Sequence, residues 1–318
     1  MHEFNGLLLL PRLKVHNANA LPGPLSWGFP APTAFLGFAH ALQRKLKGNW
    51  DATFTGVGIV CHHFDPQAEG RYQKTFRLAR HPIRAGYKKF QDKDAAIVEE
   101  GRAHMEVSLL LETQGYLEDD KEDFCEDVLE IVHGMRLAGG SIQPAFGEPH
   151  KPQWRTWWDD DQENQRNFRK LARRLPPGFA LVDCSDLLAT HLEQLRAENP
   201  ETDALDALLD LSALHATCET DEGGTVHWQA RRRRPGWLVP LPVGYAGLSA
   251  LHPPGTVANA RDTDTPFRFV ESLYGLGQWI SPHRIPHPDA LMWRYTTQAE
   301  DGLYLCRNQY AQCTRHLN

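Results

Sequence analysis

Hydrophobic positions alternate with other residues in several stretches of the first half of the chain. The alternation over residues 6–16 predicts a strand with two dissimilar faces. One predicted face holds Leu7, Leu9, Leu13 and Val15, and the other holds Leu8, Leu10, Arg12, Lys14 and His16. Residues 53–64, 103–112 and 141–146 are similarly rich in strand-forming residues, so we expect three further strands there.

Apolar residues recur at helical spacing between these strands. One apolar stripe comprises Phe35, Phe38, Ala39, Leu42 and Leu46. The other comprises Phe124, Val128, Ile131, Val132 and Met135, within a helix predicted over 119–136 and stopped by Gly139-Gly140. Later helices are predicted over 165–175, 186–196 and 202–214, and the last third reads as irregular strands and long loops.

The predicted order is strand, helix, strand, arm, strand, helix, strand. This order is typical of the α+β, ferredoxin-like fold of RNA-recognition domains, in which two helices cover one sheet face and the other stays open. We therefore expect a ferredoxin-like domain over 1–147, with a basic arm at 65–100 forming a protruding β-hairpin thumb. Residues 148–318 are expected to be a helical insertion and a mixed, loop-rich region packed on that domain.

The segment 70–93 is cationic although the whole chain has a formal net charge of -6. Its cations are Arg71, Lys74, Arg77, Arg80, Arg84, Lys88, Lys89 and Lys93, against the single acid Asp92. Rings at Tyr72, Phe76, His81, Tyr87 and Phe90 are interleaved with them. Cations neutralise phosphates and rings stack on unpaired bases, so the segment favours a nucleic acid partner. A solvated surface hairpin is the more usual explanation of such a segment, and it stays open on composition alone.

Composition argues against several other classes of protein. The apolar runs are far shorter than the roughly 18–20 residues that span a bilayer, so we expect a cytoplasmic protein without membrane contact. The six cysteines are scattered without a Cys-x-x-Cys pair, which favours free thiols. Adjacent strand residues point to opposite faces, so Cys61, His62 and His63 do not converge on a metal. We expect neither a metal nor a cofactor.

Three short motifs could carry chemistry. Residues 136–141 read Arg-Leu-Ala-Gly-Gly-Ser, and glycines let a phosphate or a backbone approach closely, although a helix C-cap is the commoner cause. Residues 99–104 combine carboxylates, Arg102 and His104, which acid–base chemistry could use, but a salt-bridged turn is the commoner explanation. Residues 231–234 are four arginines, typical of a phosphate or acidic-partner patch.

Several blocks of sequence resemble one family of CRISPR proteins. They are LLLLPRL at 7–13, NANA at 17–20, SWGFPAP at 26–32, GVGIVCH at 56–62, IVEEGRAH at 97–104, MRLAGGSI at 135–142, PGWLVP at 235–240 and FVESLYGLGQWISPHR at 269–284. The chain resembles the second subunit of type I-F CRISPR surveillance (Csy) complexes, in the Cas-five branch of the RAMP superfamily.

The resemblance implies a non-catalytic role in antiviral defence. It implies that the chain grips the 5′ handle of the CRISPR RNA beside the large subunit and the first backbone subunit, with target DNA nearby. Together with the cationic pattern, it predicts RNA contacts by Arg12, Asn17, Asn19, Trp27, Arg71, Lys74, Arg77, Arg102, His104, Arg136, Gly139, Gly140, Ser141, Arg261, Arg268, His283 and Arg284.

Two other functions remain open at this stage. A metal-independent endoribonuclease would use an imidazole such as His104 as acid and base. A scaffold that only bridges proteins would make no RNA contact at the arm.

Overall fold

The computed structural model describes residues 6–71, 73–80, 97–115, 120–157, 161–220, 223–231, 234, 236–260 and 262–314. Its helices are α1 (Pro32–Leu46), α2 (Lys121–His133), α3 (Asp161–Ala172), α4 (Ser185–Glu198), α5 (Ala204–Ser212) and α6 (Tyr310–Thr314). Its strands before α3 are β1 (Gly6–Asn19), β2 (Thr53–Pro66), β3 (Ala68–Glu69), β4 (Thr75–Arg80), β5 (Ile97–Glu100), β6 (Arg102–Gln114), β7 (Arg136–Leu137), β8 (Gly140–Gln143) and β9 (Gln153–Thr156). Those after α3 are β10 (Phe179–Asp183), β11 (His215–Thr220), β12 (Val226–Arg231), β13 (Trp237–Gly247), β14 (Val270–Ile280), β15 (Met292–Gln298) and β16 (Leu303–Arg307).

One antiparallel sheet contains eleven of the described strands. Its order is β10-β14-β13-β16-β15-β2-β6-β1-β8-β7, and β9 also pairs with β1. A second pairing, between β10 and β2, closes six strands into a ring. Strands β3, β4 and β5 form a separate sheet, as do β11 and β12. The predicted α+β class is confirmed.

The strands of the N-terminal half lie in the order β8-β1-β6-β2, with every neighbouring pair antiparallel. Helix α1 connects β1 to β2, and α2 connects β6 to β7 and β8. Phe35 of α1 and Phe124 of α2 are fully buried in one core with Leu109 and Leu111 of β6. Both helices therefore cover the same face of the sheet.

The sheet face opposite α1 and α2 is only partly open. The expectation that this face is uncovered is wrong for the middle of the sheet. Leu7, Leu9 and Leu110 on this face are at most 1% exposed. They lie in a second core with Phe168 and Leu171 of α3. The C-terminal half covers these side chains because they would otherwise leave apolar surface in water.

The alternation of side chains between the two faces of the sheet reverses in the middle of β1. Its pairing with β6 shifts register between Leu10 and Leu13, where Arg12 adopts a positive φ of 52°. An extra residue in one strand reverses the faces that follow. Leu8 and Leu10 therefore share the first core with Leu13, and the prediction that Leu7 and Leu9 share a face with Leu13 is wrong.

Helix α2 also ends earlier than predicted. It stops at His133, and the N–H of Gly134 donates to the carbonyls of Ile131 and Val132. Gly139 and Gly140 therefore do not cap this helix. Gly139 lies in the tight turn between β7 and β8, and Gly140 begins β8, where it pairs with Leu137.

The C-terminal half is more regular than its sequence suggests. Strands β13 and β14 are eleven residues long and pair with each other at ten positions, and both lie in the main sheet with strands of the N-terminal half. The predicted helices after residue 160 are present as α3, α4 and α5, within a few residues of their expected bounds. The division of the chain at residue 147 stays a prediction.

An ion pair joins the two halves. Arg294 of β15 donates to both carboxylate oxygens of Glu112 on β6, at 2.8 and 2.7 Å, and also to Asp289 at 2.5 Å. Glu112 is 6% exposed and accepts a further hydrogen bond from the Thr55 hydroxyl at 2.9 Å. Such a buried carboxylate is strongly destabilising when its cation is removed.

Candidate nucleic-acid interface

A cleft of about 420 Å³ opens where the end of β1 meets β6, β8 and the base of the arm. We call it the arginine cleft, and it is lined by His16, Asn17, Gln67, Arg77, Glu100, Arg102, Arg136, Gly139 and Ser141. The arrangement brings together six of the residues predicted to contact RNA, which are Asn17, Arg77, Arg102, Arg136, Gly139 and Ser141.

A second irregularity of β1 positions Asn17. Its φ is 57°, and the pairing with β6 shifts register between Val15 and Ala18. The amide of Gln67 donates to Asn17 Oδ1 at 2.7 Å and lies 3.1 Å from His104 Nε2. The backbone N–H of Asn17 donates to His104 Nδ1 at 3.4 Å. Asn17, Gln67 and His104 therefore form one polar cluster at the cleft.

The turn between β7 and β8 forms the opposite wall. Ala138 and Gly139 have positive φ values of 49° and 76°, and the Asn19 N–H donates to the Ala138 carbonyl at 2.8 Å. A Cβ on Gly140 would lie 2.7 Å from Ala18 N and from the His16 carbonyl oxygen. A Cβ on Gly139 would meet nothing within 4 Å. Gly140 is thus required by packing against β1, whereas Gly139 presents open backbone.

The lining of the cleft carries three guanidinium groups against one carboxylate. Arg102 Nη2 lies 3.5 Å from Glu100 Oε2, and Arg77 Nε lies 3.9 Å from Glu69 Oε1 outside the lining. Both pairs are exposed, and such pairs contribute only about 0–1 kcal/mol. A phosphate can therefore replace these carboxylates as a partner at little cost.

Comparison with known proteins identifies the family. A family model described as "CRISPR-associated protein (Cas_Csy2)" matches residues 8–306. The chain belongs to the Csy2 family. It is also similar to the CRISPR-associated protein Csy2 of Pseudomonas aeruginosa (strain UCBPP-PA14), at 48% identity over 313 residues that cover 94% of each chain. The resemblance to a type I-F Csy subunit is confirmed.

The Csy2 match spans every residue predicted to contact RNA, but the fold does not bring all of them together. Arg12 donates to Glu106 at 2.7 Å and is not a lining residue of the arginine cleft. Asn19 uses its side-chain amide within its own turn, donating to the Leu21 carbonyl and accepting from the Leu21 N–H. Their contact with RNA stays a prediction.

Arg268, His283 and Arg284 of the C-terminal loops also lie outside the lining of this cleft. Arg268 donates to the Ala299 carbonyl at 3.0 Å and packs on Gly247 and Gly302, where it holds two loops together. His283 and Arg284 lie in a short 3-10 helix, where His283 Nδ1 is 2.7 Å from the Ser281 hydroxyl. Arg261 lies outside the described residues.

The base of the arm is a β-ribbon next to the cleft. Strand β4 pairs with β5, which places Arg77 opposite Glu100. Phe76 packs edge-on against Trp27 at 5.5 Å, which ties the arm to the Pro/Gly-rich connection before α1. Arg71 and Lys74 are exposed just before β4. Arg80 is the last residue of β4, and the cations at 84, 88, 89 and 93 lie outside the described residues.

The sequence did not predict Gln67, which lines the arginine cleft. It also did not predict Tyr245 and Tyr304, which line a neighbouring cleft. Gln67 follows β2, and nothing in its local sequence marks it as a neighbour of Asn17. Tyr245 and Tyr304 pair across two strands of the C-terminal half, a long-range contact that periodicity does not reveal.

The remaining sequence candidates have structural partners. The ring nitrogens of His62 lie 2.6 Å from the Pro177 carbonyl and 2.6 Å from the Ser108 hydroxyl. Burial raises the pKa of Cys61 to about 12. Among the described residues, no group of three or more His, Cys, Asp or Glu side chains could hold a metal ion. The same part of the chain contains no helix long and apolar enough to cross a membrane.

Proposed function

We propose that this chain is a non-catalytic subunit of a type I-F CRISPR RNA-guided surveillance complex, acting in antiviral defence. In this proposal the arginine cleft holds the 5′ handle of the CRISPR RNA. The observation that carries it is that Arg77, Arg102 and Arg136 line one cleft together with the open backbone of Gly139.

The chemistry of the cleft suits a single-stranded RNA. Guanidinium groups bind phosphates with two parallel hydrogen bonds, and the missing side chain at Gly139 lets a phosphate approach the turn. Asn17 and Gln67 carry amides, which both donate to and accept from the edges of unpaired bases. A cleft with these groups can read bases as well as neutralise phosphates.

The scaffold supports the same assignment. We infer that β8, β1, β6 and β2 with α1 and α2 form a ferredoxin-like core of the RAMP type, because the strand order and the shared helical face agree with that fold. The β4–β5 ribbon is then the base of the thumb. The large subunit and the first backbone subunit are the expected neighbours in the cytoplasm, with target DNA nearby.

The endoribonuclease alternative centres on His104, whose ring nitrogens both contact cleft residues. We propose that this imidazole organises Asn17 and Gln67 and does not transfer protons to RNA. Incubation of the purified chain with repeat RNA in the absence of metal tests this point. RNA cleavage by the wild type that is lost in His104→Ala would establish the endoribonuclease instead.

The binding proposal is tested with the chain co-purified with its partner subunits. Competition between the cognate handle and a scrambled RNA of equal length, at near-physiological salt, should favour the cognate handle. Arg102→Ala and Arg136→Ala should each weaken handle binding, because each removes a phosphate contact. Arg196→Ala on α4 is the matched control, since Arg196 lies outside the lining of the cleft. Equal affinity of the wild type for both RNAs would contradict a specific handle site.

A further inference from the structure

Three tyrosines form a row on the C-terminal part of the main sheet. Tyr245 of β13 lies directly opposite Tyr304 of β16, and their ring centroids are 6.2 Å apart. Tyr295 of β15 stacks on Tyr304 at 5.2 Å with an angle of 17° between the rings. Cross-strand neighbours on one face of a sheet approach this closely, so the register of three strands creates the row.

This row borders a second cleft, of about 550 Å³, which we call the tyrosine cleft. It is lined by Asn19, Pro22, Pro30, Ala31, Thr33, Ala34, Ala138, Gly139, Tyr245 and Tyr304. Gly139 lines both clefts, so the tyrosine cleft continues the arginine cleft across the turn between β7 and β8. A strand that passes over Gly139 would enter it directly.

The two clefts differ in charge. The lining of the tyrosine cleft contains no Asp, Glu, Lys or Arg. Burial raises the pKa of Tyr304, so its hydroxyl stays neutral at physiological pH. Tyr245 is 39% exposed, so part of its ring is accessible from the cleft. An uncharged aromatic cleft beside a cationic one suits a base adjoining bound phosphates.

We propose that Tyr245 and Tyr304 form a stacking subsite for one unpaired base of the RNA whose phosphates lie in the arginine cleft. The inference rests on the proposed function and adds to it a path for the strand. The base belongs to a nucleotide next to the one at Gly139. Stacking depends on the ring and not on the hydroxyl, so a phenylalanine at position 245 should replace the tyrosine without loss.

The test uses the chain assembled with its partner subunits and handle RNAs that carry 2-aminopurine at one position at a time. Stacking quenches 2-aminopurine, so the wild type should quench one position strongly. Tyr245→Leu should abolish that quenching and weaken handle binding by about tenfold. Tyr245→Phe should preserve both. The log–log salt slope of Tyr245→Leu should equal that of the wild type, because no phosphate contact is lost.

Two controls isolate the subsite. Phe269→Leu changes an aromatic side chain that is 51% exposed and does not line either cleft, and it should leave binding unchanged. An abasic nucleotide at the quenched position should weaken binding to the wild type and should not weaken binding to Tyr245→Leu further. Thermal denaturation of each variant verifies that the fold is retained.

The alternatives give different results. Wild-type affinity and quenching in Tyr245→Leu would overturn the subsite and leave the proposed function intact. If Tyr245→Leu bound RNA normally but no longer assembled with its partner subunits, the stacking subsite would be overturned in favour of a protein contact at the tyrosines. Absence of RNA binding by the wild-type assembly would overturn the proposed function and the subsite together.

Discussion

Gly139 in the turn between β7 and β8 and Gly140 at the start of β8 are adjacent, but they are glycine for different reasons. Gly140 is fixed by contact, since a Cβ there would collide with the backbone of His16 and Ala18. Gly139 is fixed by conformation, since its φ of 76° disfavours other L residues while the space around it is empty.

Alanine at the two positions should therefore have unequal effects. Gly140→Ala should lower the free energy of unfolding by about 2–4 kcal/mol, because backbone atoms of β1 must move. Gly139→Ala should lower it by only about 1 kcal/mol, the lower end of the penalty for a left-handed L residue. Denaturant unfolding of both variants measures the difference. Equal destabilisation would show that the close approach of Gly140 to β1 does not govern the turn.

Arg294 and Glu112 allow a second prediction at the scale of single residues. Arg294→Ala should destabilise the protein by roughly 3–5 kcal/mol, because it leaves the carboxylate of Glu112 buried without its cation. Arg307→Ala is the matched control, since Arg307 makes a single 3.2 Å contact with Asp183. Asp183 also accepts from the N–H and the hydroxyl of Ser185, so it keeps partners in that variant. If Arg307→Ala lowered the free energy of unfolding as much as Arg294→Ala, the buried carboxylate of Glu112 would not explain the effect of Arg294→Ala.

At the scale of elements, β1 decides most of the geometry of the candidate site. Its first register shift brings Leu13 onto the same face as Leu8 and Leu10, and its second places Asn17 in the arginine cleft. The arm meets the same cleft through Arg77, with Lys74 just before the strand. Strand β1 and the arm thus line the arginine cleft from different sides.

The arm should contribute through phosphate contacts. Lys74→Ala combined with Arg77→Ala should flatten the log–log dependence of handle affinity on salt by about 1.4, since each contact with a single strand contributes about 0.7. Affinity measured at several salt concentrations gives the slope, with Arg196→Ala as the control. An unchanged slope would show that this part of the arm does not contact RNA.

At the scale of the whole molecule, the ion pairs around Arg294 connect the two halves and respond to acid. Hydrogen bonding to His287 and to Arg294 lowers the pKa of Asp289 from 3.8 to about 2. A carboxyl group whose pKa is lower in the folded state stabilises that state when it is ionised. Its contribution is therefore complete above pH 3.8 and disappears as the pH falls toward about 2.

Asp289→Asn should reproduce this loss at neutral pH. The free energy of unfolding of the wild type should exceed that of Asp289→Asn near about pH 6, and the gap should narrow progressively below about pH 4. Denaturant unfolding across this range checks the result. A gap that stays constant down to about pH 2 would show that the ionised carboxylate does not contribute to stability.

The local sequence was sufficient for many elements. The spacing of Phe35, Leu42 and Leu46 predicted α1, and the stripe from Phe124 to Val132 predicted α2. Residues three or four apart lie on the same face of a helix, so an apolar repeat at this spacing marks a helix with one buried face. The arginines and glycines of the candidate site were also recognisable as residue types that hold phosphates. Their chemistry is a property of the side chains and does not depend on the fold.

The tertiary structure decided which of those residues meet. Arg136, Gly139 and Ser141 reach Asn17 only because β8 pairs with β1, and Arg102 joins them because β6 pairs with β1 from the other side. The face switch at Arg12, the covering of Leu7 and Leu9 by α3, and the row of tyrosines likewise depend on contacts between segments distant in sequence. Periodicity describes neighbours within one element, whereas the pairing of distant strands is set by burial across the whole chain.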